Sequence, residues 1–432
     1  MARAVMALVL LAAATSVAPA LERGDVAVAG RGLRSIVHRL TTDRLKGRDN
    51  DTPESEVAQA ALIRRLRSLG RGLDATQRGS DAFRQRFTAG PITGTNLLAV
   101  MRGRELPDEY VIVGAHYDHL GTRSVETGAC SSRGTPGGAV CNGATDNAAG
   151  VAAVLAVGRA LKRLPTPPRR SIVLALWDAE EDGLAGSLHY VNAPLVPLAR
   201  TKAYVNFDIL GSDLLPSLAS TSFAVGGETG GATLQTIVAD AVAAERLGTL
   251  PVSFIFGQLR SDYASFGSKQ IPTVFFSDST NGCYHTTGDD LAVVDWKKLQ
   301  AQSRIAFRTV VALAESASPP SYAPAGGVLA TFADAQSLRQ VFTTAESDLP
   351  LFPSDDQQVL TGIRAAIDAI VQAGPDTFDD ADVRTLLAVA LDGVAAIRRL
   401  GCRSQRVPAA RAAVNAPRAM RSTATGARKA PG

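Results

Sequence analysis

The sequence predicts an α/β protein, a three-layer α/β/α sandwich around a mixed, mostly parallel sheet, with a C-terminal helical appendage. Three observations carry this prediction. Short apolar runs bounded by turn residues alternate with helix-period segments between residues 33 and 314, the rhythm of strands joined by helical crossovers. The runs Glu109–Ala115 and Ser171–Leu176 are apolar almost throughout, as strands are when helices cover both faces. Acids and histidines gather just after such runs, where the carboxyl ends of strands in open sheets build their sites.

In chain order, the first twenty residues combine Arg3, an apolar run from Ala4 to Ala14 and Ala18-Pro19-Ala20, the pattern of a secretory signal cut after Ala20. Helices are expected over 33–40 and 55–69. The second has Val57, Ala61, Leu62, Leu66 and Leu69 near 3.6-residue spacing, and Gly70 and Gly72 stop it. Strands follow at 83–87, 95–101 and 109–115, the last leading into His116-Tyr117-Asp118-His119. A Gly/Ser/Pro-rich loop, 129–142, precedes Asp146 and a helix from Val151 to about Leu164, ended by Pro165, Pro167 and Pro168. The strand 171–176, a helix 185–191, a strand 203–207 delivering Asp208, a helix 234–245, a strand 272–276 and a helix 295–314 complete the main domain, 21–320. Residues 321–402 read as three amphipathic helices, 331–347, 354–372 and 379–400. Ser354 and Asp379 stand as caps, and Val359, Ile363, Ile367, Ile370 and Val371 share one face of the second.

The net charge of +4 resides in the tail. Residues 403–432 hold six Arg, one Lys and no acid, leaving −3 on the rest, so the basic balance gives no sign of a nucleic-acid partner. The Ala/Pro/Arg/Thr composition of the tail argues for disorder. Beyond the signal, no apolar stretch is long enough to span a bilayer, and the mature chain is expected to be exported, periplasmic or extracellular. Cys130 and Cys141, eleven positions apart in a loop, are expected to pair. The sequence leaves Cys283 and Cys402 either bridged or free.

The chemistry centres on Glu180 and Glu181, adjacent at the mouth of a buried strand. Successive side chains diverge there, so one carboxylate can hold a metal while the other stays free as a base. Alone, the pair also suits an acidic helix start. His116 with Asp118, Asp146, Asp208 and His285 turn it into a set of imidazoles and carboxylates without thiolates. Such donors suit zinc first, then Mn²⁺ or Co²⁺. Asp118, two positions from His116, projects to the same side of an extended segment, where it can hold the ring tautomer.

From about Leu40 to Val294 the chain resembles the M28 metallopeptidases, co-catalytic dinuclear zinc aminopeptidases and their relatives. The resemblance rests on Leu45-Lys46-Gly47-Arg48, Gln85-Arg86-Phe87, Thr95-Asn96 and all the acid and histidine motifs in order. It implies that His116 and Asp208 bind one Zn²⁺, Glu181 and His285 the other, and Asp146 both. It further implies that Asp118 orients His116 and that Glu180 is the general base for the attacking water. Tyr284 is then either a donor to the tetrahedral oxyanion or an aromatic wall. Ser261-Asp262-Tyr263 stands where the family often has Ser-Asp-His, and Asp51-Thr52 follows Arg48 where Gly-Thr is usual. The implied function is an exported zinc exopeptidase acting on peptides, an aminopeptidase first. A carboxypeptidase or dipeptidase of the same fold, a glutaminyl cyclase-like acyltransferase and a non-enzymatic binding protein are the alternatives; His116 counts against the cyclase.

Overall fold

The most apolar runs of the chain become the centre of the sheet. The computed structural model describes residues 24–25, 28, 30–122, 130–131, 139–323 and 329–402. The expected signal (1–20) and basic tail (403–432) lie outside them. Among the described residues nine strands form one sheet: β1 (Arg71–Gly72), β2 (Arg84–Ala89), β3 (Ile92–Met101), β4 (Leu106–His116), β5 (Arg170–Trp177), β6 (Thr201–Phe207), β7 (Thr221–Val225), β8 (Gly248–Val252) and β9 (Thr273–Ser277). Their order is β1-β3-β5-β4-β6-β9-β7-β8, with β2 paired to β3. The central strands β5, β4, β6 and β9 run parallel; β3 joins antiparallel to β5, and β7 antiparallel to β9.

Side chains alternate between two cores, as the pleat requires. Val111, Val113, Ile172 and Leu174 face one core, against helices α1 (Gly30–Leu40), α2 (Pro53–Leu69), α3 (Ala149–Leu161), α5 (Gly231–Ala243) and α7 (Trp296–Glu315). Ile112, Val173 and Ala175 face the other, with Tyr190 of α4 (Ala185–Asn192) and Phe266 of α6 (Tyr263–Gly267). In this second core Trp177 Nε1 donates to Tyr204 Oη (2.8 Å), which donates to Asn206 Oδ1 (2.6 Å). Gly114 makes room for this chain, because a Cβ there would run into both Trp177 Nε1 and Tyr204 Oη.

Helices α8 (Phe332–Thr344), α9 (Ser354–Ala373) and α10 (Asp380–Leu400) form a third apolar cluster in which Ile363, Ile367 and Leu386 meet Leu214, Leu215 and Leu218. Asp379 caps α10, accepting from the Ala381 and Asp382 amides while the Asp382 carboxylate returns to the Asp379 amide. Three expectations need correction, the first being Val57 of α2, which is 54% exposed while Ala58 takes the buried position. Ser354 is the first residue of α9 rather than its cap; Pro353 precedes it, and no side chain caps the helix. Val359 lies outward at 42% exposure because Leu360 takes the inward position in that turn. Strands β7 and β8 were not expected. Each is five residues long, β8 contains a proline, and their identity as strands comes from pairing beside β9.

All four cysteines are bonded, Cys130 to Cys141 as expected and Cys283 to Cys402, the pair the sequence left open. The second bond joins the end of α10 to the loop carrying Tyr284 and His285, across a sequence separation of 119 residues. Restricting so long a loop in the unfolded chain stabilises by about 2–5 kcal/mol. The double substitution Cys283→Ser/Cys402→Ser is therefore expected to lower the calorimetric melting temperature by several degrees. An unchanged transition would show that the bond contributes nothing to stability.

Candidate metal centre

Each acid or imidazole singled out in the sequence sits at the carboxyl edge of the central parallel strands. His116 is the last residue of β4 and fully buried. Glu180 and Glu181 follow β5 after a turn through Ala179, whose φ is +52°. Asp208 follows β6, and Asp146 lies in an irregular turn, 144–148, that leads into α3. His285, on a loop after β9, has φ +54°.

The geometry brings these groups together and divides them through Asp146. His116 Nε2 lies 3.2 Å from Asp146 Oδ1 and 3.2 Å from Asp208 Oδ1. His285 Nε2 lies 3.3 Å from Asp146 Oδ2 and 3.1 Å from Glu181 Oε2. One carboxylate thus gives one oxygen to each imidazole. The Glu180 carboxylate approaches His116 Nε2 only to 3.9 Å and lines the neighbouring cavity. The two glutamates take different partners, Glu181 meeting His285 and His119 while Glu180 stays nearer His116, although both carboxylates can reach within 4.8 Å of each other and of the His116 ring.

These contacts make poor hydrogen bonding but good cation coordination. An imidazole nitrogen carries at most one proton, so His116 Nε2 cannot satisfy two carboxylate oxygens at once, and His285 Nε2 faces the same conflict. Asp146, Glu181 and Asp208 concentrate negative charge in a buried volume, which is costly without a counter-ion. Geometrically compatible donor triples include His116, Asp146 and Asp208. The donors therefore fit divalent ions of the zinc type.

The electrostatics divide the carboxyls in the same way. Burial raises Glu180 well above the usual carboxylate range, with His116 opposing and Asp208 and Glu181 adding to the effect. Burial and Asp146 also push Glu181 upward, but His285 and His119 outweigh them and bring it to about 2. For Asp146, contacts with His116, His119 and His285 overcome burial and hold it well below its ordinary value.

The surrounding polar groups explain the other motifs. His116 Nδ1 lies 3.2 Å from the Asp118 backbone carbonyl, with Asp118 Oδ1 farther off at 3.5 Å, and Asp118 Oδ2 accepts from the Glu181 amide at 3.2 Å, so this residue touches both candidate ligand segments. Asn96 accepts from the Asp178 amide and donates to Gln85 Oε1 and the Gly186 carbonyl, while Asp178 accepts from the Thr95 amide. Gln85, Thr95 and Asn96 thereby fix the turn bearing the paired glutamates. Arg48 is fully buried and donates to the carbonyls of Tyr117, Leu40, Asn142 and Gly143, tying the end of β4 to the approach to Asp146. Burial lowers its guanidinium to about 10, partly offset by Asp118, Asp146, Asp289 and Glu181. Gly47, at φ +74°, lets this segment pass against Cys141 and Gly121, where a Cβ would collide with backbone.

Tyr284 stacks on His285 with ring centroids 3.8 Å apart, and Arg260 Nη2 donates to its hydroxyl at 3.0 Å. Ser131, beside Cys130, accepts from the Thr287 amide and donates to the His285 carbonyl. The two disulfides consequently flank the loop that presents His285.

Two residues at the site were not singled out in the sequence. His119 Nδ1 is 2.7 Å from Glu181 Oε1, on the oxygen opposite His285. Its position three residues beyond His116 was the available signal. Asp289 accepts from the Thr145 amide and hydroxyl and from the Asp146 amide, fixing the turn that aims the shared carboxylate. Burial raises Asp289 to about 6. Nothing in Gly288-Asp289-Asp290 distinguishes that contact from an ordinary loop acid.

A parallel-centred α/β sheet with two imidazole–carboxylate groups joined by one aspartate defines a metal-binding enzyme scaffold. The chain belongs to peptidase family M28, whose model matches residues 96–310 and whose members use co-catalytic metal ions. It is 36% identical over 129 residues to leupeptin-inactivating enzyme 1 of Streptomyces exfoliatus, covering 30% of this chain and 25% of that protein. It is 35% identical over 117 residues to the probable glutamate carboxypeptidase LAMP1 of Arabidopsis thaliana, covering 26% and 14%. The match thus spans about a quarter or less of the length of these curated relatives. The solved structure of the Legionella pneumophila LapA aminopeptidase shares the fold, with TM-score 0.52 and 19% identity over 68% of this chain and 75% of that one.

Residues that orient metal ligands typically influence affinity about 10- to 100-fold. Asp289→Asn is expected to weaken metal binding by that order in competition titrations with a chelating indicator, without unfolding the chain. Unchanged affinity would remove Asp289 from the set of groups that position the centre.

Proposed function

We propose that this chain is an exported dinuclear zinc exopeptidase, most plainly an aminopeptidase that hydrolyses N-terminal peptide bonds. The observation carrying the reading is the division of Asp146, one oxygen beside His116 and Asp208 and the other beside His285 and Glu181. In this reading His116, Asp146 and Asp208 hold one Zn²⁺, and Asp146, Glu181 and His285 hold the second; Mn²⁺ and Co²⁺ suit the same donors. When bound, the ions supply Lewis acidity, polarising the scissile carbonyl and acidifying water.

The chain's own groups complete the reaction. Glu180 remains outside both ligand sets and faces the cavity, so it takes a proton from the attacking water and returns it to the departing amine. Asp118 keeps the His116 ring oriented through Nδ1, leaving Nε2 turned toward Asp146 and Asp208. Tyr284, on the cavity wall beside His285, supplies a hydroxyl donor for the developing oxyanion.

A second reading, carboxypeptidase or dipeptidase, draws on one feature. The guanidiniums of Arg260 and Arg398 lie 5.5 and 5.4 Å from the centre of the Tyr284 ring and are suited to a C-terminal carboxylate. Export is supported by the two disulfides. Among the described residues no helix is long and apolar enough to cross a membrane.

Metal analysis of the loaded protein is expected to find about two ions per chain, and chelation to abolish turnover. Amino-acid p-nitroanilides should be cleaved, while N-blocked analogues and C-terminal dipeptides should not; the reverse preference would establish the second reading. Glu180→Gln is expected to lower kcat by roughly 10²–10⁴-fold with metal content retained. Near-normal turnover by that variant would exclude Glu180 as the base.

A further inference from the structure

A cavity of about 160 Å³ opens directly onto the candidate metal centre, with Asp146, Glu180 and Asp208 at one end. Its remaining surface is mostly apolar, with Gln258, Arg260 and Tyr284 among the polar lining residues, and its walls come from two separate parts of the chain. Phe223, Val252 and Phe275, from the sheet side, form one wall. Phe342 of α8 and Gly393 and Ile397 of α10 form the opposite one. This second wall lies beyond residues 96–310, the stretch the family model matches.

We infer that this cavity is the specificity pocket and that the C-terminal helices set its size, selecting a substrate residue with a large unbranched, γ-branched or aromatic apolar side chain. The inference rests on the exopeptidase reading above. An apolar cavity of about 150 Å³ is large enough for a benzene ring, so the space suits a leucine, methionine or phenylalanine side chain. A side chain entering it leaves water for an apolar surface, while the scissile bond stays beside the carboxylates. A basic side chain held between Phe223, Val252, Phe342 and Ile397 would lose its hydration with no opposite charge among them.

Gly393 is the position that keeps the pocket open. It lies within α10 and is buried, and a Cβ built on it would stand 3.3 Å from Phe342 Cζ. A longer side chain there would occupy the substrate's space. Phe342 limits the pocket from the facing helix, and the Cys283–Cys402 bond anchors the end of α10 to the loop bearing His285. Pocket wall and metal-binding loop are therefore held in one covalent unit, so pocket length is measured from the reacting centre.

The test compares kcat/KM of the full chain for Leu-, Phe-, Ala- and Gly-p-nitroanilide. A single methylene in such a pocket is worth about 10- to 200-fold, so Leu and Phe should exceed Ala and Gly by at least tenfold. Gly393→Leu, a favourable substitution within a helix, should reduce the Leu-to-Ala ratio at least tenfold; general damage would scale both rates together. Phe342→Ala should raise the Phe-to-Leu ratio. Unchanged ratios in both variants would overturn the inference. If no p-nitroanilide is cleaved, the aminopeptidase reading has failed, and calorimetry then tests the pocket independently. Leucinamide or N-acetyl-leucine should bind Glu180→Gln at least tenfold more tightly than its glycine counterpart, and Gly393→Leu added to that background should erase the difference. Equal binding of the leucine and glycine compounds would reject the pocket.

Discussion

The structure depends on the concentration of carboxylates and imidazoles at one buried edge of the sheet. Asp146 stands between His116 and His285 with one oxygen toward each, and neither ring can satisfy the acids around it by proton donation alone. Such an arrangement is costly in a low-dielectric interior unless cations resolve it and the surrounding chain resists relaxation. Much of the molecule around the site supplies that resistance. Arg48 joins the end of β4 to the Asp146 approach through backbone carbonyls, Asp289 holds the Asp146 turn by its amides, and Gln85, Thr95 and Asn96 secure the turn bearing Glu180 and Glu181.

The two disulfides extend this restraint to the loop that carries His285. His285 is delivered by a loop rather than directly by a strand end, and it adopts positive φ. Ser131, next to Cys130, pairs with its backbone on one side, while Cys283 ties the same loop to the end of α10 on the other. The C-terminal helices thus share a covalent connection with the candidate metal centre as well as a wall of its cavity. Their packing against Leu214, Leu215 and Leu218 places them over residues that follow Asp208. The candidate metal centre and the apolar wall of its cavity thus come from different stretches of chain that meet at one space.

The sequence made most of the architecture legible because its signals were local. The continuous apolar runs before His116 and Glu180 became parallel strands, the second buried throughout and the first from Val111 onward, and helix periodicity located the long helices to within a few residues. Asp379 was recognisable as a cap because the capping bond closes within its own turn. Ser354 failed as a cap and Val359 as a core residue because a shift of one position in helix start or facing decides each, whereas β7 and β8 escaped notice because pairing with segments distant in sequence makes them strands.

By itself, the sequence determined the donor types and their order along the chain, with His116 and Asp208 directly at the ends of apolar strands, since these follow from composition and local pattern. Only the tertiary structure decided that Asp146 offers one oxygen to each imidazole, that His119 and Asp289 join the site, that Cys283 pairs with Cys402, and that Gly393 faces Phe342 beside the carboxylates. These are distances between segments far apart along the chain. Local propensity carries no information about them until the sheet has aligned its strand ends and the C-terminal helices have closed over one side.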